Sequence, residues 1–121
     1  MAVLSIGQCR PDQAGIAFYL QNSFGASTQA AATEVEAFQL LEQGKYELIL
    51  VNRVLDLDGS DGLALIERIL ASDHGDTPVM LVSNYPDWQA KAISSGAVPG
   101  FGKAELNSAE TKQRLQRILH G

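Results

Sequence analysis

Short apolar runs alternate with helical patterns along the whole chain, the arrangement produced by repeated βα units around a mostly parallel sheet. The first run, Ala2 to Ile6, reads as a buried strand. Pro11 then stands where a first helical turn tolerates proline, and Ile16 and Leu20 fall four apart on one face before Gly25 closes the segment. Ala26 to Ala32 is poor in β-branched residues, so its reading as a second strand rests on its place in the alternation. Thr33 and Glu36 form a capping-box pair at the start of a second helix. That helix carries Ala37, Leu40 and Leu41 at core spacing and stops at Gly44, where a left-handed residue is expected. Tyr46 to Val51 is an almost unbroken apolar run, suited to a central third strand covered on both faces.

After a polar loop, Leu63, Leu65, Ile66, Ile69 and Leu70 outline a third helix that ends near Ser72 to Thr77. Pro78 opens a fourth strand, Val79 to Val82, and a fourth helix runs from Pro86 and Asp87 to Gly96. Val98 to Phe101 is a brief fifth strand, and Pro99 within it lacks the N–H a ladder needs, which assigns that strand to a sheet edge. Asn107 with Glu110 caps a closing helix whose apolar stripe is Leu115, Ile118 and Leu119. No repeat, low-complexity tract or linker interrupts this order, so residues 1–121 read as a single domain. The expected fold is α/β and flavodoxin-like, a doubly wound (βα)5 unit with a five-stranded parallel sheet of order 2-1-3-4-5. A closed βα barrel needs about twice the length.

Composition narrows the function. The chain has 121 residues, 45% hydrophobic, with 9 basic and 14 acidic side chains for a net charge of -5. Arg and Lys are scattered singly, so no basic stripe exists to neutralise phosphates along a nucleic acid, and direct nucleic-acid binding is not expected. No apolar run approaches the ~18 residues of a membrane span, and a basic-then-apolar leader is missing. The single cysteine, Cys9, cannot form an internal bridge. A reducing cytoplasm is the expected compartment.

In open α/β sheets, ligands and chemistry gather at the carboxyl ends of the strands. Those ends present Gly7 and Gln8 after the first strand, Asn52 after the third, Ser83 after the fourth and Lys103 past the fifth. With the segment Tyr46-Glu-Leu-Ile-Leu-Val-Asn52 followed by Asp61-Gly62-Leu63, the run Leu81-Val82-Ser83, and Ser95-Gly96-Ala97 leading to Phe101-Gly102-Lys103, the chain resembles the receiver domain of two-component response regulators. The resemblance spans essentially the whole chain. It implies a signalling module whose family accepts a phosphoryl group on an aspartate at the end of the third strand. An acidic pair after the first strand then holds Mg²⁺, a hard cation suited to carboxylate oxygens. The matching positions here are Asn52, Gly7 and Gln8, so the resemblance implies a pseudo-receiver that lacks the phospho-acceptor, the metal and any cofactor. Ser83 matches the family's switch hydroxyl and Lys103 the lysine that neutralises phosphoryl charge. Phe101 stands at the switch aromatic position without a hydroxyl, and Ala104 where the family commonly has proline.

Alternatives stand beside several of these residues. Asp56 and Asp58, in a loop longer than the family's usual connection, are either a displaced nucleophile or metal ligand, or part of a solvated turn in which Asp61 caps the third helix. Lys103 is either an anion-binding group or the partner of a loop carboxylate such as Asp56. Ser83 reads as a strand-end hydroxyl satisfying backbone, because neither His74 nor His120 lies near it in the alternation. Cys9 is a semi-buried cysteine or a redox-sensitive one. Tyr85, Pro86 and Trp88 either pack over the sheet end or join a partner face with Lys91, Ser95, Val98, Phe101 and the last helix. The leading expectation is a binding module and not an enzyme, docking to another signalling protein or an attached effector or kinase domain. A second copy of the chain is a further candidate partner. The competing expectations are a phospho-acceptor that uses Asp56 or Asp58, and a cofactor binder, for which Gly7-Gln-Cys-Arg-Pro-Asp12 makes a poor phosphate loop.

Overall fold

Five parallel strands form one sheet in the order β2-β1-β3-β4-β5, as expected. The computed structural model describes residues 1–119, so the terminal placement of His120 and the last two residues of the 1–121 unit lie outside the described residues. The elements are β1 (Ala2–Ile6), α1 (Arg10–Phe24), β2 (Ser27–Ala31), α2 (Glu34–Gln43), β3 (Leu48–Asn52) and α3 (Gly62–Leu70). They continue with β4 (Val79–Val82), α4 (Pro86–Ser94), β5 (Val98–Phe101), a 3-10 turn at Lys103–Glu105 and α5 (Ala109–Gln116).

Successive side chains of the central strands point to opposite faces, so each apolar run feeds two cores. Leu4, Ile6, Ile49, Val51, Val79 and Leu81 are buried with Leu65, Ile66 and Ile69 of α3, Leu41 of α2 and Ala92 of α4. Val3, Leu48, Leu50, Met80 and Val82 are buried on the other side with Ile16, Leu20 and Phe24 of α1 and Leu115 and Leu119 at the end of the chain. Pro11 lies in the first turn of α1, and Gly25 closes that helix at φ 66°, a left-handed conformation open to glycine.

Four local expectations need correction. β3 begins at Leu48, because Tyr46 turns into the α2–α3 side of the core and Glu47 N donates to Ala2 O at 2.9 Å as the chain enters the sheet. β2 is shorter than Ala26 to Ala32, since Ala26 N bonds Leu20 O at the end of α1. Gly44 is extended, with φ -149°, and not left-handed. The last helix is capped by Ser108 and not by Asn107: Ser108 Oγ accepts from Thr111 N at 3.2 Å while Thr111 Oγ1 donates to Glu105 O at 2.7 Å. That hydroxyl pair fixes the helix one residue later than the Asn107–Glu110 spacing suggests.

The two sheet edges differ. β2 pairs with β1 in unbroken register from Ser27 to Ala31. β5 pairs with β4 through a register shift, Met80 to Val98 and then Val82 to Phe101, beside Pro99. Gly100 lies in that irregularity, where a Cβ would collide with Leu81 O. Among the described residues, no helix is long and apolar enough to cross a membrane.

Candidate functional site

At the end of β3 the Asn52 carboxamide faces inward and uses both its protons. Asn52 Nδ2 donates to Gly7 O at 3.0 Å and to Val54 O at 2.8 Å, tying the end of β1 to the loop after β3. A carboxylate has no proton to give either carbonyl. The same Gly7 carbonyl also accepts from Asp56 N at 3.0 Å.

Gly7 has a local physical requirement of its own. Its φ of 78° is left-handed. A Cβ there would run into the side chain of Leu55, whose Cα is only 3.0 Å away. Leu55 is 1% exposed, packed over the end of β1, whereas Val54 and Leu57 of the same loop are 47% and 69% exposed. The loop is correspondingly ordered: Leu55 N donates to Ser60 O at 3.0 Å, Gly59 N to Leu55 O at 2.8 Å, and Val54 and Asp61 form an antiparallel bridge. Asp61 caps α3 as expected, accepting from Leu63 N at 3.2 Å, and also pairs with Arg53 at 3.0 Å. Asp58 is folded back on its own turn, its Oδ1 accepting from Ser60 N at 3.0 Å and Ser60 Oγ at 2.6 Å. Those bonds to Ser60 hold its carboxyl below the ordinary value of 3.8.

Lys103 is paired, but its partner is neither Asp56 nor any loop carboxylate. Its Nζ lies 2.7 Å from Oδ2 of Asp12, in the first turn of α1. The same oxygen is 3.0 Å from Cys9 Sγ. The bonds from Cys9 and then Lys103 keep the Asp12 carboxyl below its ordinary 3.8. Ser83 is buried and its Oγ accepts from Tyr85 N at 3.2 Å, the backbone role read from the sequence. Asn52, Ser83 and Lys103 line one pocket of about 220 Å³ together with Arg53, Asn84 and Tyr85. Gln8 does not join them. It lines a separate cleft beside Gln13 and Ala30 to Ala32. Both polar atoms of its carboxamide are buried without a hydrogen-bond partner.

The expected partner face is assembled only in part. Trp88 is held between two cations, the Arg53 guanidinium 3.5 Å and Lys91 Nζ 4.3 Å from its ring centre. Tyr85 is 67% exposed, whereas Phe101 is 2% exposed inside the α1–α5 core and presents no surface to a partner. Ser95 Oγ bonds Glu67 at 3.2 Å, and Val98 is half-buried. Three residues that sequence reasoning missed organise this side. Gln89 Nε2 donates to Leu81 O at 2.8 Å and Ser83 O at 3.2 Å, while its Oε1 accepts from Gly100 N at 3.2 Å. Arg114 Nη1 donates to Gly100 O at 2.8 Å, and Asn84 Oδ1 accepts from Ala104 N at 3.0 Å. The missed Asp12 had a signal, an acidic residue in the first turn of a helix that starts beside the site.

Among the described residues, no three His, Cys, Asp or Glu side chains come together in a group able to hold a metal. No protein-family model matches the chain, and no curated protein matches it. Solved structures do. The chain is 21% identical to a signal receiver domain of a DNA-binding response regulator from Colwellia psychrerythraea, with a TM-score of 0.82 over 100% of this chain and 99% of that one. A putative response regulator from Chloroflexus aurantiacus gives 18% identity and a TM-score of 0.84, covering 99% and 98%. A response regulator from Thermotoga maritima gives 25% and 0.79, covering 99% and 98%. These likenesses, with the observed strand order, establish that the chain has the flavodoxin-like receiver fold.

Proposed function

We propose that the chain is a two-component signalling module that transmits by protein contact without aspartyl phosphorylation. The observation that carries this reading is the packing of Leu55 against Gly7 beneath the Asn52 carboxamide. An acidic pair and an aspartate would need this space to hold a hard dication. A leucine side chain and two N–H···O bonds fill it. Asn52 is not nucleophilic and forms no acyl phosphate. Lys103, the group suited to neutralising a phosphoryl oxygen, is already neutralised by Asp12.

The residues present therefore do not fit Mg²⁺ in the family's manner. The displaced-acceptor alternative finds little support: Asp58 is engaged by Ser60 on the solvent side of the loop. Asp56 is exposed, and its backbone N–H is bonded to Gly7 O at 3.0 Å beside the buried Leu55. On this reading the module binds and does not catalyse, and the cation-flanked Trp88 with exposed Tyr85 is its contact surface toward a kinase or effector domain.

Incubation with acetyl phosphate and millimolar Mg²⁺ followed by intact-mass measurement tests the reading. The mass is expected to stay unchanged. A gain of about 80 Da, one phosphoryl group, that disappears in Asp56→Asn or Asp58→Asn overturns it in favour of the displaced acceptor.

A further inference from the structure

We propose that the open β2 edge is an interface for a second copy of this chain, joined by antiparallel β2–β2 pairing. The ladder between β1 and β2 uses Ser27, Gln29 and Ala31: Ser27 N donates to Met1 O at 2.9 Å, and Ala31 O accepts from Gly7 N at 2.8 Å. Alternate residues of a parallel strand bond the same neighbour, so the N–H and C=O groups of Thr28 and Ala30 point away from the sheet. A two-fold axis through Gln29 sets Thr28 against Ala30 of the second copy and Ala30 against its Thr28. Each pair then exchanges both bonds. The edge is self-complementary in register.

Nothing on this strand opposes such pairing. Exposed edges are ordinarily blunted by charge, proline or bulges. The β5 edge has Pro99, a register shift and the Arg114 bond to Gly100, whereas β2 is Ser-Thr-Gln-Ala-Ala in unbroken register. From Gln13 to Thr33 the chain carries no charged side chain at all, although 19% of its residues are charged. That neutral stretch covers nearly all of α1 and the whole of β2. The β2 strands and the neutral length of α1 meet there without charge, while α2 brings Glu34, Glu36 and Glu42 to the rim of the seam. The two-fold brings α1 beside α1 and α2 beside α2, and these two helices carry Phe18 at 73% and Val35 at 69% exposure. Both are large apolar side chains that a second copy would cover.

Sedimentation equilibrium of the full chain up to about 1 mM, a range that captures weak specific pairs, tests the interface. Association to twice the single-chain mass is expected, with hydrogen exchange at the Thr28 and Ala30 amides slowing as concentration rises. Ala30→Pro removes an outward N–H without touching the β1 ladder, and Phe18→Glu places a charge on the seam. Each is expected to weaken association at least about tenfold, while Ile93→Glu on α4 leaves it unchanged. Should Ala30→Pro fail to fold, Phe18→Glu, on an exposed helix face, carries the test alone. The single-chain mass at the top of the series, or a dimer that survives Phe18→Glu or is lost in Ile93→Glu, overturns the proposal.

Discussion

The carboxyl end of β3, β4 and β5 and the flank formed by α1 and β2 treat their polar side chains in opposite ways. At the first, Asn52, Gln89 and Asn84 each bond backbone from another segment, and Arg114 closes the free carbonyl of Gly100. At the second, Gln8 Oε1 and Nε2, Gln13 Oε1 and Thr28 Oγ1 are buried without partners, and Ser5 Oγ beneath them is in the same condition. A buried polar group left unsatisfied costs free energy that a bonded one does not. One region is therefore locked by its polar side chains. The other has polar chemistry left over, and its strand edge is open as well. Where the resemblance leads one to expect a switch, Arg53 Nε is the one buried side-chain polar atom without a hydrogen-bond partner among the described residues, and its guanidinium lies on the Trp88 ring.

The largest expected effect of that contrast is at Gln89. Its carboxamide spans the irregular β4–β5 pairing, with donors to Leu81 O and Ser83 O and an acceptor for Gly100 N. Gln89→Leu keeps the volume and strands these buried groups, so a loss of about 2 to 3 kcal/mol is expected. Denaturant unfolding checks it. A loss under about 0.5 kcal/mol, the size of an ordinary surface change, breaks the description of this end as locked.

Asn52→Asp comes next. It removes both donors and sets a carboxylate against Gly7 O and Val54 O, for an expected loss of about 1 to 2 kcal/mol at neutral pH. The introduced carboxyl is favoured in its protonated form, so its folded-state pKa is raised. The deficit relative to wild type is full above that raised value and shrinks as pH falls through it, because the neutral acid recovers a proton to donate. Restoring an acid here is expected not to restore a metal site, since Leu55 still fills the space beside Gly7. Thermal unfolding of Asn52→Asp with and without millimolar Mg²⁺ decides this. A rise of several degrees with the cation, the signature of preferential binding to the folded state, would reopen the family's chemistry.

How far the contrast was legible in the sequence follows from which interactions are local. Strand order, the central position of β3, Pro11 at a helix start and the edge placement of β5 all come from apolar periodicity and proline chemistry, which act over a few residues. The identities Asn52, Ser83 and Lys103 were legible for the same reason: each lies at or just past the end of a strand. Asp12 as partner of Lys103 was not, because that ion pair joins the first helix to the last loop and neither neighbourhood encodes the other. Gln8 was placed with the pocket on its position after β1, but the chain turns at left-handed Gly7 and the carboxamide lines the α1–β2 cleft instead. Leu55 was passed over inside a loop read as polar. Val54, Leu55 and Leu57 are all apolar, and nothing local tells that Leu55 alone folds inward while the other two stay exposed.

The smallest expected effect is the most discriminating, because it repeats the Gln89 substitution at the other region. Gln8→Leu removes two buried polar atoms that have no partner and keeps the apolar stem in the alanine-walled cleft. Replacing an unsatisfied amide by an apolar group of similar shape is neutral or favourable, so a change between zero and about +1 kcal/mol of stability is expected. The same chemical step at Gln89 has the opposite sign. If denaturant unfolding instead shows Gln8→Leu losing as much as Gln89→Leu, the Gln8 amide must be making strong bonds through ordered solvent. The two regions would then differ in who supplies the partner and not in whether one exists.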